Sequence, residues 1–288
     1  MNVTIAEAIQ KAAARLAAHK VPDARWDAEL LLCHALGRDR AWLLIHMQGQ
    51  LDEQGRLAYE NAIDRRSVRE PLQYITGFQE FWGLQFIVTP DVLIPRPETE
   101  LVVEAALRPG TTAVTPVIVD LCTGSGCIAV SLATECPQAQ IFATDRSGAA
   151  LEIARRNARQ NGVADRIRFL EGDLFMPLGG MDLIGRIDVI ASNPPYIRSD
   201  ELMELQPEVR DFEPELALIA GRKGTEIAER IIIAAPTYLR AGGSLIMEMG
   251  LGQTEALRKF IEDTDRYHAI EVLKDLAGIE RVIVARNK

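Results

Sequence analysis

Asn193-Pro194-Pro195-Tyr196 directly follows the apolar run at 187–192, and these residue types in this order suit methyl transfer to a planar nitrogen. A nitrogen conjugated to a carbonyl or an aromatic ring is a weak nucleophile because its lone pair is delocalised; amide conjugation alone sets a rotation barrier of roughly 18–20 kcal/mol. An Asn side-chain oxygen and a backbone carbonyl at the end of a rigid strand can accept both N–H hydrogens. They then hold the NH2 group in line and stabilise the charge that develops as nitrogen leaves the plane. In this reading the Asn193 oxygen and the Pro194 carbonyl are the acceptors, Pro194 and Pro195 stiffen the array, and Tyr196 offers a flat face for stacking. The same tetrapeptide is also ordinary turn chemistry, because proline fixes φ and pushes the preceding residue out of the helical region. A second motif is needed to choose.

Upstream, residues 117–121 read as a buried strand that runs into Cys122-Thr123-Gly124-Ser125-Gly126 and then into an apolar helical stretch at 128–132. A glycine loop between strand and helix lets the backbone approach a ligand closely, and the helix N-terminus favours a negative group such as a carboxylate. The next strand, 140–144, leads to Asp145, about 20 residues after the loop, where an acid in a doubly wound fold binds ribose hydroxyls. A third, 166–170, precedes Asp173 and Leu174, an acceptor for an adenine amino group and an apolar contact for its ring. The third glycine of a dinucleotide fingerprint and the P-loop lysine are both missing, so NAD is the weaker expectation. Alone, the loop is also readable as a structural turn; acids at the carboxyl ends of two later strands favour a cofactor site.

Residues 120–126, Asp145, Asp173 and residues 193–196 together resemble a class I S-adenosylmethionine-dependent methyltransferase. Further strings are similar to the peptide chain release factor glutamine methyltransferase family: Phe81-Trp82-Gly83-Leu84, Val92-Leu93-Ile94-Pro95-Arg96-Pro97-Glu98-Thr99-Glu100, Pro71-Leu72-Gln73-Tyr74-Ile75, Phe212-Glu213-Pro214-Glu215-Leu216-Ala217-Leu218 and Ala277-Gly278-Ile279-Glu280-Arg281-Val282. The likeness covers nearly the whole chain, and the Arg-Pro-Glu-Thr-Glu string is its most selective part. It implies a Rossmann-like α/β fold, mostly parallel with an antiparallel last strand, behind a small all-α N-terminal domain. It also implies S-adenosyl-L-methionine as cofactor, held by residues 122–126, Asp145, Asp173, Leu174 and Asn193. The acceptor implied is the side-chain amide nitrogen of the glutamine in the Gly-Gly-Gln loop of release factors. Arg96, Pro97, Glu98 and Thr99 then shape the substrate entrance together with residues 193–196, although Arg96 and Glu98 also read as a plain solvated ion pair. The reaction expected from these residues is direct in-line displacement at the sulfonium methyl, without a metal or a covalent intermediate. Two departures stand out: Cys122 replaces the usual glycine, and residues 220–225 are a loose version of the family's glycine-rich segment. The Cys-Thr-Gly-Ser-Gly-Cys string also resembles the sister branch that methylates a ribosomal-protein glutamine.

Residues 1–70 read as a helical, substrate-binding domain. Thr4 and Glu7 form a capping box, with Ile5, Ile9, Ala12 and Leu16 on one face. Asp23 is expected to cap a second helix carrying Trp26, Leu30 and Leu31 that stops near Gly37, and Asp39 and Asp52 to start two more, the last ending before Pro71. Trp26 and Trp42 are expected in the core. Residues 71–94, broken by Gly77 and Gly83, suggest a β-hairpin linker, and 95–288 the catalytic domain, whose later strands lie at 187–192, 244–249, 268–273 and 281–285.

The net charge is −9, and residues 1–70 hold 10 basic and 10 acidic residues, so the whole deficit lies beyond them. A nucleic-acid enzyme usually needs a basic surface to replace counterions, which favours a protein acceptor over the rival, an extruded adenine methylated at N6. A non-catalytic protein that keeps the cofactor fold is the remaining alternative. Cys33, Cys122, Cys127 and Cys136 lack zinc-ligand spacing and read as free thiols of a cytoplasmic protein; a Cys122–Cys127 bridge is the strained alternative. His19, His34, His46 and His268 are scattered, so no metal site is expected. No apolar run reaches the ~20 residues of a membrane span, no targeting segment is expected, and a monomer is the expected state.

Overall fold

The computed structural model describes residues 3–108 and 115–288; residues 1–2 and 109–114, within the expected domains, lie outside the described residues. The chain divides into two compact units, Met1–Phe78 with Gln206–Phe212, and Gln79–Leu205 with Glu213–Lys288.

In the first unit, helix α1 (Ile5–Ala18) opens on the expected capping box: Thr4 Oγ1 accepts the Glu7 N–H at 3.3 Å, and the Glu7 carboxylate accepts the Thr4 N–H at 2.9 Å. Ile5, Ile9, Ala12 and Leu16 are its buried face. Helix α2 (Ala24–Leu36) ends at Gly37 in the left-handed region, but Asp23 makes no side-chain cap bond. Asp39 and Asp52 do cap α3 (Arg40–Ile45) and α4 (Glu53–Ser67). Trp26 is not in the core: it is 47% exposed, with the Arg40 guanidinium 4.3 Å from its ring centroid. Asp27 takes the inward position instead, because Arg66 provides a buried cation 2.7 Å away. Leu31 is buried as expected, Leu30 only half-buried. Glu208 of the short helix α9 (Pro207–Arg210) ties the distant segment to this unit through Arg66 at 2.9 Å and Arg69 at 2.5 Å.

The boundary expected at residue 70 and the all-hairpin linker at 71–94 both differ from the structure. Pro71 leads into helix α5 (Leu72–Thr76), which buries Tyr74 and Ile75 and ends at Gly77, φ 83°. Only then come strands β1 (Phe78–Phe81) and β2 (Leu84–Ile87), a two-stranded sheet turned by Trp82 and Gly83 at φ 55° and 66°, as a two-residue hairpin turn requires.

The second unit continues with α6 (Glu100–Leu107), β3 (Val117–Leu121), α7 (Cys127–Glu135), β4 (Gln140–Asp145), α8 (Gly148–Gln160), β5 (Ile167–Glu171) and β6 (Ile187–Ser192). The short strands β7 (Ile197–Arg198) and β8 (Ile219–Gly221) pair with each other, with α10 (Glu215–Leu218) just before β8; α11 (Glu226–Tyr238), β9 (Leu239–Glu248), α12 (Thr254–Asp263), β10 (Tyr267–Lys274) and β11 (Glu280–Asn287) complete the unit. The main sheet has seven strands in the order β10-β11-β9-β6-β3-β4-β5. Pairs within β9-β6-β3-β4-β5 are parallel, and β11 runs against both neighbours, which is the antiparallel last strand. Near-continuous apolar strands such as Ile118, Val119 and Leu121 are explained by burial on both faces: Ile118, Val189 and Ile246 join one apolar layer, Val119, Ile190 and Leu245 the other.

Candidate active site

Parallel pairing sets Leu121 of β3 opposite Ser192 of β6, so the chain leaves these strands side by side, at Cys122 and at Asn193. Strand order reverses at β3, whose two neighbours are β4 and β6; open α/β sheets bind ligands at such switch points, beyond the carboxyl ends of the strands.

The glycine loop is braced from below by Asp120. This fully buried carboxylate accepts the Thr123 hydroxyl at 2.6 Å and the Ala129 N–H at 3.2 Å, and burial pushes its pKa up to about 7. Cys122 adopts φ 58°, a left-handed backbone that glycine occupies without strain, which accounts for the residue usual at this place. Burial raises the Cys122 thiol and pushes Cys127 up to about 12, so both stay protonated and non-nucleophilic. All four cysteines are free. Asp145 accepts the Gly124 N–H on Oδ2 and the Ser147 N–H on Oδ1, each at 2.9 Å; burial raises its pKa and these bonds oppose the rise.

One pocket gathers Arg96, Thr99, Cys122, Thr123, Gly124, Ser125, Asp145, Asp173, Leu174, Asn193 and Pro195. Pro97, Glu98, Gly126, Pro194 and Tyr196 are not part of its lining. Gly126 is needed for packing: a Cβ there would stand 3.1 Å from Ala154 Cβ on α8. Asp173 is paired through Oδ2 with Arg230 at 2.5 Å. Arg96 does not pair with Glu98 but with Glu213, at 2.6 Å; Glu213 is buried, and its neighbours Pro214, Leu216 and Ala217 line the pocket. Burial raises the Glu213 carboxyl, and the Arg96 charge opposes the rise.

Asn193 is half-buried and donates from Nδ2 to Thr99 Oγ1 at 3.0 Å. Thr99 Oγ1 donates to Glu248 Oε2 at 2.6 Å, and the Tyr196 hydroxyl reaches Glu248 Oε1 at 3.4 Å. Burial pushes Glu248 up to about 7, helped by the Glu98 charge and opposed by the Thr99 and Tyr196 hydrogen bonds and the Arg281 charge. The Tyr196 hydroxyl thus finds its partner in the buried Glu248 carboxylate, as a tyrosine hydroxyl removed from water needs.

Three supporting residues escaped the sequence reading. Glu248 ends β9, the same signal, an acid at the carboxyl end of a strand, that marked Asp145. Gln253 Nε2 donates to the carbonyls of Tyr196 (2.8 Å) and Gly224 (3.1 Å), and a Cβ at Gly224 would come within 2.8 Å of the Tyr196 carbonyl; this fixes the far end of the Asn193 loop. Asn157, fully buried, bonds both backbone groups of Ile87 and the Ser125 carbonyl. No local pattern marks either amide. Among the described residues no group of three or more His, Cys, Asp or Glu is placed to hold a metal, and no helix is long and apolar enough to cross a membrane.

This sheet order and the pocket at its switch point define a class I methyltransferase. The same fold is seen in the solved hMettl16 catalytic domain (TM-score 0.57, 19% identity, covering 77% of this chain and 81% of that one). A Pyrococcus furiosus methyltransferase is similar too (TM-score 0.51, 18% identity, 81% and 96% covered). Residues 99–206 match the methyltransferase small domain and residues 7–77 the PrmC N-terminal domain. Release factor glutamine methyltransferases of Geobacter sulfurreducens and Cereibacter sphaeroides are 44% and 42% identical. The first alignment covers 94% of this chain and 92% of the relative, the second 98% of each. The chain belongs to the release factor glutamine methyltransferase family.

Proposed function

We propose that this chain transfers a methyl group from S-adenosyl-L-methionine to the side-chain amide nitrogen, N5, of the glutamine in the Gly-Gly-Gln loop of class 1 peptide chain release factors, acting as a cytoplasmic monomer. The observation that carries the reading is that Asn193 and Pro195 line the same pocket as Gly124, Asp145, Asp173 and Leu174. The names of the curated relatives support the choice of substrate.

The lining fits such a cofactor by its chemistry. Open space lies at Gly124, where a Cβ would meet no atom within 4 Å. Asp145, at the end of β4, and Asp173, just past β5, are acceptors for hydroxyl and amino donors, and Leu174 offers an apolar surface. The bound cofactor supplies a methyl group on a sulfonium, an electrophile that needs no metal.

Asn193 Oδ1 and the Pro194 carbonyl accept the two N–H groups of the substrate amide and keep its nitrogen in line. As the N–C bond forms and the S–C bond breaks, these oxygens stabilise the positive charge on nitrogen; one amide proton then leaves to solvent. Pro195 stiffens the loop, Tyr196 anchors it through Glu248, and Arg96, Pro97 and Glu98 flank the entrance, with Thr99 buried against Asn193. The helical unit grips the release factor away from the glutamine.

The test is methyl transfer from labelled S-adenosylmethionine to purified release factor, run beside a release factor with Gln changed to Ala in its Gly-Gly-Gln loop, ribosomal protein, and duplex DNA. Label confined to the intact-loop release factor is expected. Label on ribosomal protein or on DNA would replace the acceptor assigned here.

A further inference from the structure

Asn presents an oxygen and an NH2 group of nearly equal size, so an isolated Asn193 could face a substrate with either. Only the oxygen accepts an N–H; the NH2 group would repel the acceptor amide. Catalysis therefore needs a device that fixes which way the Asn193 amide points.

The structure assigns that role to Thr99 and Glu248: together they are positioning residues that hold Asn193 Oδ1 toward the pocket. The inference rests on the proposed role of Asn193 as acceptor for the substrate amide. A threonine hydroxyl carries one proton. With Glu248 ionised, that proton is committed to its Oε2 across 2.6 Å, a charge-assisted bond at the short end of the O–H···O range. Thr99 Oγ1 can then only accept, and the Asn193 atom 3.0 Å away must be the donor Nδ2. Its Oδ1 is left for the pocket that Asn193 lines. Thr99 and Glu248 are 1% and 2% exposed, so water does not compete for either group. The Tyr196 hydroxyl on Glu248 Oε1 orients the same carboxylate from the other side.

Three variants test this at about pH 8, where Glu248 is ionised, with kcat and KM for release factor and calorimetric affinity for S-adenosylmethionine as readouts. Thr99→Val removes the hydroxyl at nearly constant volume and should lower kcat about 10–100-fold, the scale on which outer partners that orient an active-site group act, with cofactor affinity within about twofold. Thr99→Ser restores the hydroxyl and should recover most of that loss. Glu248→Met frees the Thr99 proton to face Asn193 and should lower kcat on the same scale, so it carries the test if Thr99→Val does not fold. Adding it to Thr99→Val should cost nothing more. Wild-type kcat in Thr99→Val, or an equal loss in Thr99→Ser, overturns the positioning role. Asn193→Ala separates this from the parent reading: if it keeps wild-type turnover, the acceptor role of Asn193 is what fails.

Discussion

At the scale of single residues, the site depends on groups that burial makes unusual. Asn193→Ala removes one oriented acceptor and should lower kcat by about 10²–10³; a smaller change would remove Asn193 from the chemistry. Glu248 offers a second measurement. Its pKa is raised from 4.5 to about 7 in the folded chain, so the folded state binds the proton more tightly than the unfolded one. The stability this contributes is present below about 4.5 and is lost as pH rises through about 7, by ~1.4 kcal/mol for each pH unit between those two values. Urea unfolding at about pH 5 and pH 8 should show the gap between Glu248→Gln and wild type moving in favour of the variant at the higher pH. A gap that does not move would mean Glu248 is ionised across the range.

At the scale of elements, the glycine loop is held by distant parts of the same unit. Asn157 of α8 accepts the Ile87 N–H at 2.7 Å and donates to the Ile87 carbonyl at 3.0 Å and the Ser125 carbonyl at 2.8 Å. It joins β2, α8 and the glycine loop. Asn157→Ala strands the buried Ser125 carbonyl and two part-buried backbone groups of Ile87; a fully buried group costs roughly 1–3 kcal/mol when unsatisfied and a part-buried one less, so equilibrium unfolding should show a loss of about 2–4 kcal/mol. Weaker cofactor binding is expected to accompany it, because Ser125 lines the pocket. A loss under about 0.5 kcal/mol, the range of ordinary surface changes, would show that the loop stands without this amide. The hairpin was legible from Gly83 and the alternation around it. The helix α5 before it was not, since five residues beside a proline carry too little periodicity to separate helix from strand.

At the scale of the whole molecule, charge separates acceptor classes. Residues 71–288 hold 22 basic and 31 acidic residues, and nucleic-acid binding draws its affinity chiefly from phosphate neutralisation. Duplex DNA in about tenfold excess over release factor should leave the methylation rate unchanged within about twofold, even at ~50 mM salt. Inhibition that vanishes at higher salt would show a phosphate-binding surface. The helical unit also includes Gln206–Phe212, which the sequence places between two segments of the catalytic unit. Removing residues 1–78 would therefore strip Glu208 of Arg66 and Arg69, so a truncated chain would report on lost stability as well as on the proposed grip on the release factor.

Local features were readable from the chain alone. Apolar runs gave the central strands, i,i+3 residue types gave the Thr4–Glu7 capping box, and the glycine loop with acids after two strands located the pocket, since each depends on neighbours along the chain. Long-range partners were set only by the folded arrangement. Thr99 meets Glu248 across 149 residues and Asn193 across 94, and Arg96 takes Glu213, 117 residues away, over Glu98. Trp26 turns outward because Arg66 claims Asp27. Which strand ends adjoin is fixed by sheet order, and sheet order by packing both faces of the whole sheet, so no spacing within one segment encodes those pairings.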